Sequence, residues 1–223
     1  MRIKTLMLLL LTVFAASVAS AREVEAADTL SARYVFENAP LEVLDMLRPS
    51  TRLDMIDYYV EADSLLTVQN ALGGQSRLQQ LTGDYLRLAV TPVSTLEIKV
   101  LPCGKDFIAM TLYTVGADSI ARDTEVRFFD SAMRQLPAAK FLKMPDPRTL
   151  FNIKGTDITE ADLREWMPFQ TMELTTGPGD VPLTATPTTL STLPQENAAR
   201  LREIMTPSLT ADWTGSAFRF RRR

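Results

Sequence analysis

Between Leu66 and Asp130 the chain changes from helical spacing to a period of two, and this pattern limits the folds open to it more than any other feature. Leu66 and Val68 alternate with Thr67 and Gln69, and Gly73-Gly74 follows as a hairpin signal. Leu86, Leu88 and Val90 alternate with Tyr85, Arg87 and Ala89; Leu96, Ile98 and Val100 alternate with Glu97 and Lys99. Each of these runs has one apolar face. Phe107 to Val115 is apolar on both faces, as a central strand would be, and Thr124 to Asp130 sets Val126 and Phe128 opposite Arg127 and Phe129. The connections are too short for crossover helices, so the expected arrangement is an antiparallel meander.

Helices flank it. Asn38-Ala39-Pro40 reads as a helix start, with Leu41, Leu44 and Leu47 on one face before Pro49. A second helix is expected over about 51–61. Ser50 and Thr51 would cap it, Thr51 and Asp54 would form a capping-box-like pair, and Leu53, Ile56 and Val60 would face inward.

Beyond the proline-marked stretch at Pro137, Pro145 and Pro147, Thr159-Glu160-Ala161-Asp162 forms a capping box. Ile158 and Leu163 are placed as its hydrophobic staple, and the helix would run to about Met167. Thr175 to Pro194 suits edge strands and loops. A helix from Gln195 to Met205 would bury Ala198, Leu201 and Met205 and pair Glu196 with Arg200. Leu209 to Arg221 reads as one closing strand with a bulge near Gly215. The fold class is therefore α+β, an antiparallel β-sheet meander flanked by short helices, with two similar α/β subdomains as one arrangement of the halves. The expected division is a leader at 1–21, a helix pair plus sheet at 22–144, and a second α+β subdomain at 145–223 packed on the first.

The leader has Arg2 and Lys4, an apolar run from Leu6 to Val18, and Ala19-Ser20-Ala21 as a small-x-small cleavage site. That run is shorter than the roughly 20 residues a membrane span needs. The only cysteine, Cys103, is far from the cleavage point, so no lipobox thiol exists there. A soluble periplasmic or secreted product, with no transmembrane anchor after cleavage, is the expectation. Loss of Arg2 and Lys4 leaves the chain more acidic than its overall net charge of −3, a poor match for nucleic acid. The arginine-rich end, Arg219 and Arg221 to Arg223, reads as a solvated strand end. Cys103 sits in a turn, Pro102-Cys103-Gly104, and a lone cysteine forbids an internal disulfide.

Four stretches carry a resemblance: Arg52 to Tyr59, Gly73-Gly74-Gln75-Ser76, Asp84 to Pro92, and Val126 to Asp130 leading to Leu136-Pro137. In order and spacing they resemble the domain of unknown function 3256 family of exported Bacteroidales proteins, over about residues 30–215. The resemblance implies a Gram-negative host and a cell-envelope location. It implies no activity and no catalytic residues.

The chain has no histidine, which removes Ser-His-Asp and Cys-His catalysis and every histidine-bound zinc site. The phosphate-cradling and dinucleotide-binding glycine motifs are absent too. Carboxylate chemistry remains. Asp54, Asp57 and Glu61 are spaced for one helix face, where a solvated acidic surface is the ordinary reading and a hard-cation or acid–base role the sharper one. No metal site and no cofactor is assigned. Tyr58 and Tyr59 cannot both face one core, so one is a candidate groove rim, and Asp84, Tyr85 and Arg87 are candidates for a polar cluster. Asp28-Thr29-Leu30, Asp63-Ser64-Leu65, Asp118-Ser119-Ile120 and Asp130-Ser131-Ala132 resemble the O-glycosylation acceptor pattern of exported Bacteroidetes proteins. They make Thr29, Ser64, Ser119 and Ser131 candidate acceptors. The functional expectation is a non-catalytic module that binds an envelope protein, a glycan or a small ligand. The alternative is a histidine-free carboxylate hydrolase, such as a glycoside hydrolase, with two carboxylates facing each other across a cleft.

Overall fold

A computed structural model of the chain describes residues 30–62, 67–117 and 120–221. The alternating segments pair, each with its sequence neighbour, into an antiparallel seven-stranded sheet. Its strands are β1 (Thr67–Gln69), β2 (Gln75–Leu81), β3 (Tyr85–Thr91), β4 (Ser94–Cys103), β5 (Asp106–Ala117), β6 (Ile120–Phe129) and β7 (Gln135–Leu136). Gly73, at φ 77°, forms the β1–β2 turn, and buried Asn70 organises it. The Asn70 side chain accepts from the amides of Leu72 and Gly74 and donates to Ser76 and to the Val90 carbonyl. Strand β2 was hidden in the sequence because Gln-Ser-Arg-Leu-Gln-Gln-Leu carries little apolar alternation.

Both faces of this sheet are covered. Pairing of Leu86 with Ile98 and of Leu88 with Leu96 and Leu78 builds one apolar face, against which α1 (Ala32–Asn38) and α2 (Pro49–Ala62) pack. On the other face the register aligns Leu101, Lys99 and Glu97 with Ile108, Met110 and Leu112. A second, four-stranded sheet lies over that side. It consists of β8 (Met172–Thr175), β9 (Leu183–Pro187), β10 (Leu209–Trp213) and β11 (Phe218–Phe220), in the order β11-β10-β9-β8. Leu101, Met110, Leu112 and Phe128 from the first sheet share one core with Met172, Leu174, Leu183, Ala185, Ala211 and Phe218 from the second. A smaller core of Phe151, Ile158, Leu163, Leu190 and Leu201 joins α3 (Glu160–Trp166) to α4 (Gln195–Ile204). The sheets are also tied by polar contacts, since three alternate amides along β8 and just past it donate to first-sheet side chains. Met172 N reaches Asp123 Oδ1 at 3.1 Å, Leu174 N reaches Thr124 Oγ1 at 2.9 Å, and Thr176 N reaches Glu97 Oε2 at 3.0 Å.

Several local expectations need correction. The first helix precedes the segment that the leucine spacing indicated. Ser31 caps it by accepting from Tyr34 N, and residues 40–47 form consecutive turns instead. Val43 N bonds Pro40 O, Leu44 N bonds Leu41 O and Leu47 N bonds Leu44 O, so a spacing of three here reports tight turns rather than an α-helix. Helix α2 begins at Pro49, which places Ser50 and Thr51 inside its first turn rather than at a cap. Its inward face is Arg52, Met55 and Ile56, while Leu53 and Val60 are 46% and 63% exposed. The helix is thus rolled by about one residue, or ~100°, from the orientation its leucine suggested. Arg200 pairs with Asp157 at 2.7 Å and lies over Trp166, not with Glu196. The final segment is a hairpin, β10–β11, turning at Gly215 (φ 84°), rather than one bulged strand. The Thr159–Asp162 capping box forms as expected, with Ile158 and Leu163 both buried.

Candidate functional site

Strands β3 and β4 project Tyr85, Arg87, Glu97 and Lys99 from the same face, because Tyr85 pairs with Lys99 and Arg87 with Glu97. The second sheet and the β8–β9 loop cover that face, leaving Glu97 and Lys99 only 3% and 4% exposed. The Lys99 ammonium donates to Asp84 Oδ2 at 2.6 Å, to the Gly177 carbonyl at 3.0 Å and to the Gly179 carbonyl. All three of its protons are engaged. Asp84 also accepts from Thr82 and from the Gly179 amide at 2.9 Å. Glu97 Oε1 accepts from Arg87 at 3.2 Å, and Arg87 in turn donates to Gln79. Asp84, Tyr85 and Arg87 therefore do come together, but as part of a closed knot that pins the β8–β9 loop to the first sheet. The sequence showed Glu97 and Lys99 only as the polar side of a strand, since alternation cannot reveal that a distant sheet will cover that side.

The electrostatics follow from this enclosure. Burial raises the Glu97 carboxyl above its ordinary 4.5, against the opposing pull of the Thr176 amide and the Arg87 guanidinium. Burial, reinforced by the Glu97 charge, pushes the Tyr85 phenol up to about 12. Burial alone would raise Asp84, but hydrogen bonds from Lys99, Thr82 and the Gly179 amide outweigh it and hold the group below 3.8.

The other candidates are dispersed. Asp54 and Asp57 lie on the outer side of α2, with Asp57 loosely facing Arg33 at 3.8 Å. Glu61 lies in the last turn of the same helix, and its side chain is not among those described. Tyr58 is exposed and Tyr59 half-buried. Ser131 is exposed in the β6–β7 turn, where Asp130 accepts from the amides of Ala132 and Arg134. Thr29, Ser64 and Ser119, like the leader and Arg222 and Arg223, lie outside the described residues. Cys103 is half-buried beside the aromatic end of the shared core. Among the described residues no cluster of three or more metal-ligating side chains occurs, and no helix is long and apolar enough to cross a membrane.

Two open clefts lie on the described surface. One, of about 350 Å³, has Phe151, Ile153 and Leu163 in its lining and a charged rim already paired within itself, Asp146 with Arg148 and Glu160 with Arg164. The other, of about 250 Å³, is the groove between the 40–47 turns and the first sheet. It is lined by Glu42, Val43, Asp45, Met46, Thr111, Tyr113, Glu125 and Arg127. Arg127 spans it, donating to Glu125 Oε1 at 2.8 Å and to the Glu42 carbonyl at 3.1 Å. Thr111 lines this groove with the residue only 2% exposed, and its hydroxyl has no protein partner among the described residues. The carboxylates of Glu42 and Asp45 are likewise unpaired among the described residues. Sequence reasoning missed this groove; its one signal was Thr111, in the middle of a strand that is mostly apolar on both faces.

Two face-packed antiparallel sheets with a helical layer on the outer side of the larger one define an α+β protein. Residues 24–218 match the model of a family described as a protein of unknown function (DUF3256), and the chain belongs to that family. The solved structure of a domain of an uncharacterized protein from Porphyromonas gingivalis W83 is similar, with a TM-score of 0.73. It shares 17% identity over 86% of this chain and 98% of that one, a likeness of fold. No curated protein matches the chain.

Proposed function

We propose that this chain is an exported, non-catalytic binding module whose ligand enters the groove between the 40–47 turns and the first sheet. Export is supported by the charged, apolar and small-x-small segments of residues 1–21. The observation that carries the binding reading is Thr111 on the groove wall, a residue only 2% exposed whose hydroxyl has no protein partner among the described residues. Buried hydroxyls are ordinarily paired, and leaving one unmade costs about 1–3 kcal/mol. Catalysis by a carboxylate pair is less well supported. Glu97 is the carboxyl raised by burial, yet both its oxygens are engaged and it opens onto neither cleft.

The test is co-purification of the mature protein, tagged at its C-terminus, from the envelope of its native host, alongside Glu42→Arg/Asp45→Arg. A partner or ligand present at comparable abundance with the wild type and lost with the variant supports the reading. Retention by the variant moves the binding surface elsewhere. Glycan cleavage abolished by Glu97→Gln would instead establish the hydrolase. The same reading includes Ser131 as an exposed glycan acceptor. Intact mass from the native host should show hexose increments, one fewer in Ser131→Ala, and an unmodified mass would end that part of the proposal.

A further inference from the structure

We infer that the groove takes a primary alkylammonium, the end of a lysine side chain or of a free diamine; this rests on the groove being the binding site. Its lining carries Glu42, Asp45 and Glu125 against the single cation Arg127. Arg127 is already committed to Glu125 and to the Glu42 carbonyl, which leaves the carboxylates of Glu42 and Asp45 without a cationic partner among the described residues. An anion entering here would meet like charge. A neutral apolar group would strip water from two carboxylates and return no hydrogen bond to Thr111. An ammonium answers both conditions, because it brings positive charge and three donors that the carboxylates and the Thr111 hydroxyl can share.

The remaining lining fits the stem of such a ligand. Val43 and Met46 offer apolar contact to methylenes, and Tyr113 adds an aromatic side chain to the same lining. A volume of about 250 Å³ falls below the roughly 300 Å³ at which drug-sized pockets begin, so it suits one side-chain-sized group rather than an oligosaccharide. A planar guanidinium wants a bidentate fork, whereas here a hydroxyl and separate carboxylates favour a compact point charge.

The experiment is an amide chemical-shift titration of the mature protein with 1,5-diaminopentane and with Nα-acetyl-lysine amide. The neutral controls are 1-pentanol and Nα-acetyl-norleucine amide. Saturable shifts at Met46, Thr111 and Tyr113 with the ammonium probes alone are expected. They should weaken with added salt and fall about fivefold or more in affinity in Glu42→Gln/Asp45→Asn. Response to the diamine alone identifies a free amine, and response to the lysine amide identifies a protein side chain; either supports the inference. Thr111→Val separates binding from folding. Its thermal midpoint should be unchanged or raised while ammonium affinity falls, because the hydroxyl has no protein bond to lose. Equal shifts with the neutral controls would overturn the ammonium assignment and leave a binding groove. No shifts with any probe would also overturn it, and the co-purification result would then decide separately whether the groove binds at all.

Discussion

Arg52 occupies the inner face of α2, a position that helical spacing would give to an aliphatic side chain. It is 1% exposed, and among the described residues no carboxylate pairs with it. Its guanidinium instead donates to the carbonyls of Leu47, Leu44, Ala39 and Phe36, gathering the end of α1 and the 40–47 turns around one fork. Burial pulls its pKa below the ordinary arginine value, a cost that the four carbonyls offset. Arg52→Met keeps the volume and removes every donor, leaving buried carbonyls unpaired. It should lower unfolding stability by about 3 kcal/mol or more, read as a fall in urea midpoint at unchanged m-value. Arg52→Lys should recover little, since one ammonium cannot reproduce the fork. A midpoint within error of wild type for Arg52→Met would show that the turns hold without it. No periodicity rule could have revealed Arg52, because its burial depends on carbonyls that become neighbours only once the turns have formed.

At the scale of elements, the long strands were legible and the short irregular pieces were not. Strands β3 to β6 show themselves because alternation continues over several residues and is punctuated by turns. The α3 capping box was equally readable, being a local reciprocal bond. Segment 40–47, polar β2 and the closing hairpin escaped because spacing alone does not separate a turn series from a helix, or a hairpin from a bulged strand. The β5–β6 hairpin turns on a constraint the sequence leaves unmarked. Gly116 sits at φ 128° beside a register shift, and an added Cβ would lie 2.5 Å from the Ala121 carbonyl oxygen. Gly116→Ala should therefore cost about 2 kcal/mol or more by combined backbone strain and overlap. Thermal unfolding would check this; Gly104→Ala, with positive φ but open space around its Cβ, should cost less. Equal losses at the two positions would show that the contact with Ala121 relaxes freely.

Across the whole molecule, the charged knot beneath the β8–β9 loop gives stability an unusual pH profile. Glu97 has a folded pKa above 4.5, so its protonated form favours the fold. That contribution is complete below 4.5 and is lost as pH rises through the folded value. Asp84 runs the other way. Its contribution is present above 3.8 and is lost as pH falls through its lowered folded value. Glu97→Gln should therefore flatten the stability curve on the neutral side of 4.5 and leave the acid limb, where Asp84 titrates, in place. Parallel wild-type and variant curves of urea midpoint against pH above 4.5 would refute this. The knot exists because two sheets distant in sequence stack, and that long-range fact is what local patterns withhold. The same stacking has a consequence for how the protein behaves in a crowd. An open strand margin with outward amides is a template on which strands of other molecules can add. Along β8 those amides, at Met172 and Leu174 and onward at Thr176, are occupied by Asp123, Thr124 and Glu97 from within. The fold thereby closes one margin of its smaller sheet to aggregation, without a covering helix and without closing into a barrel.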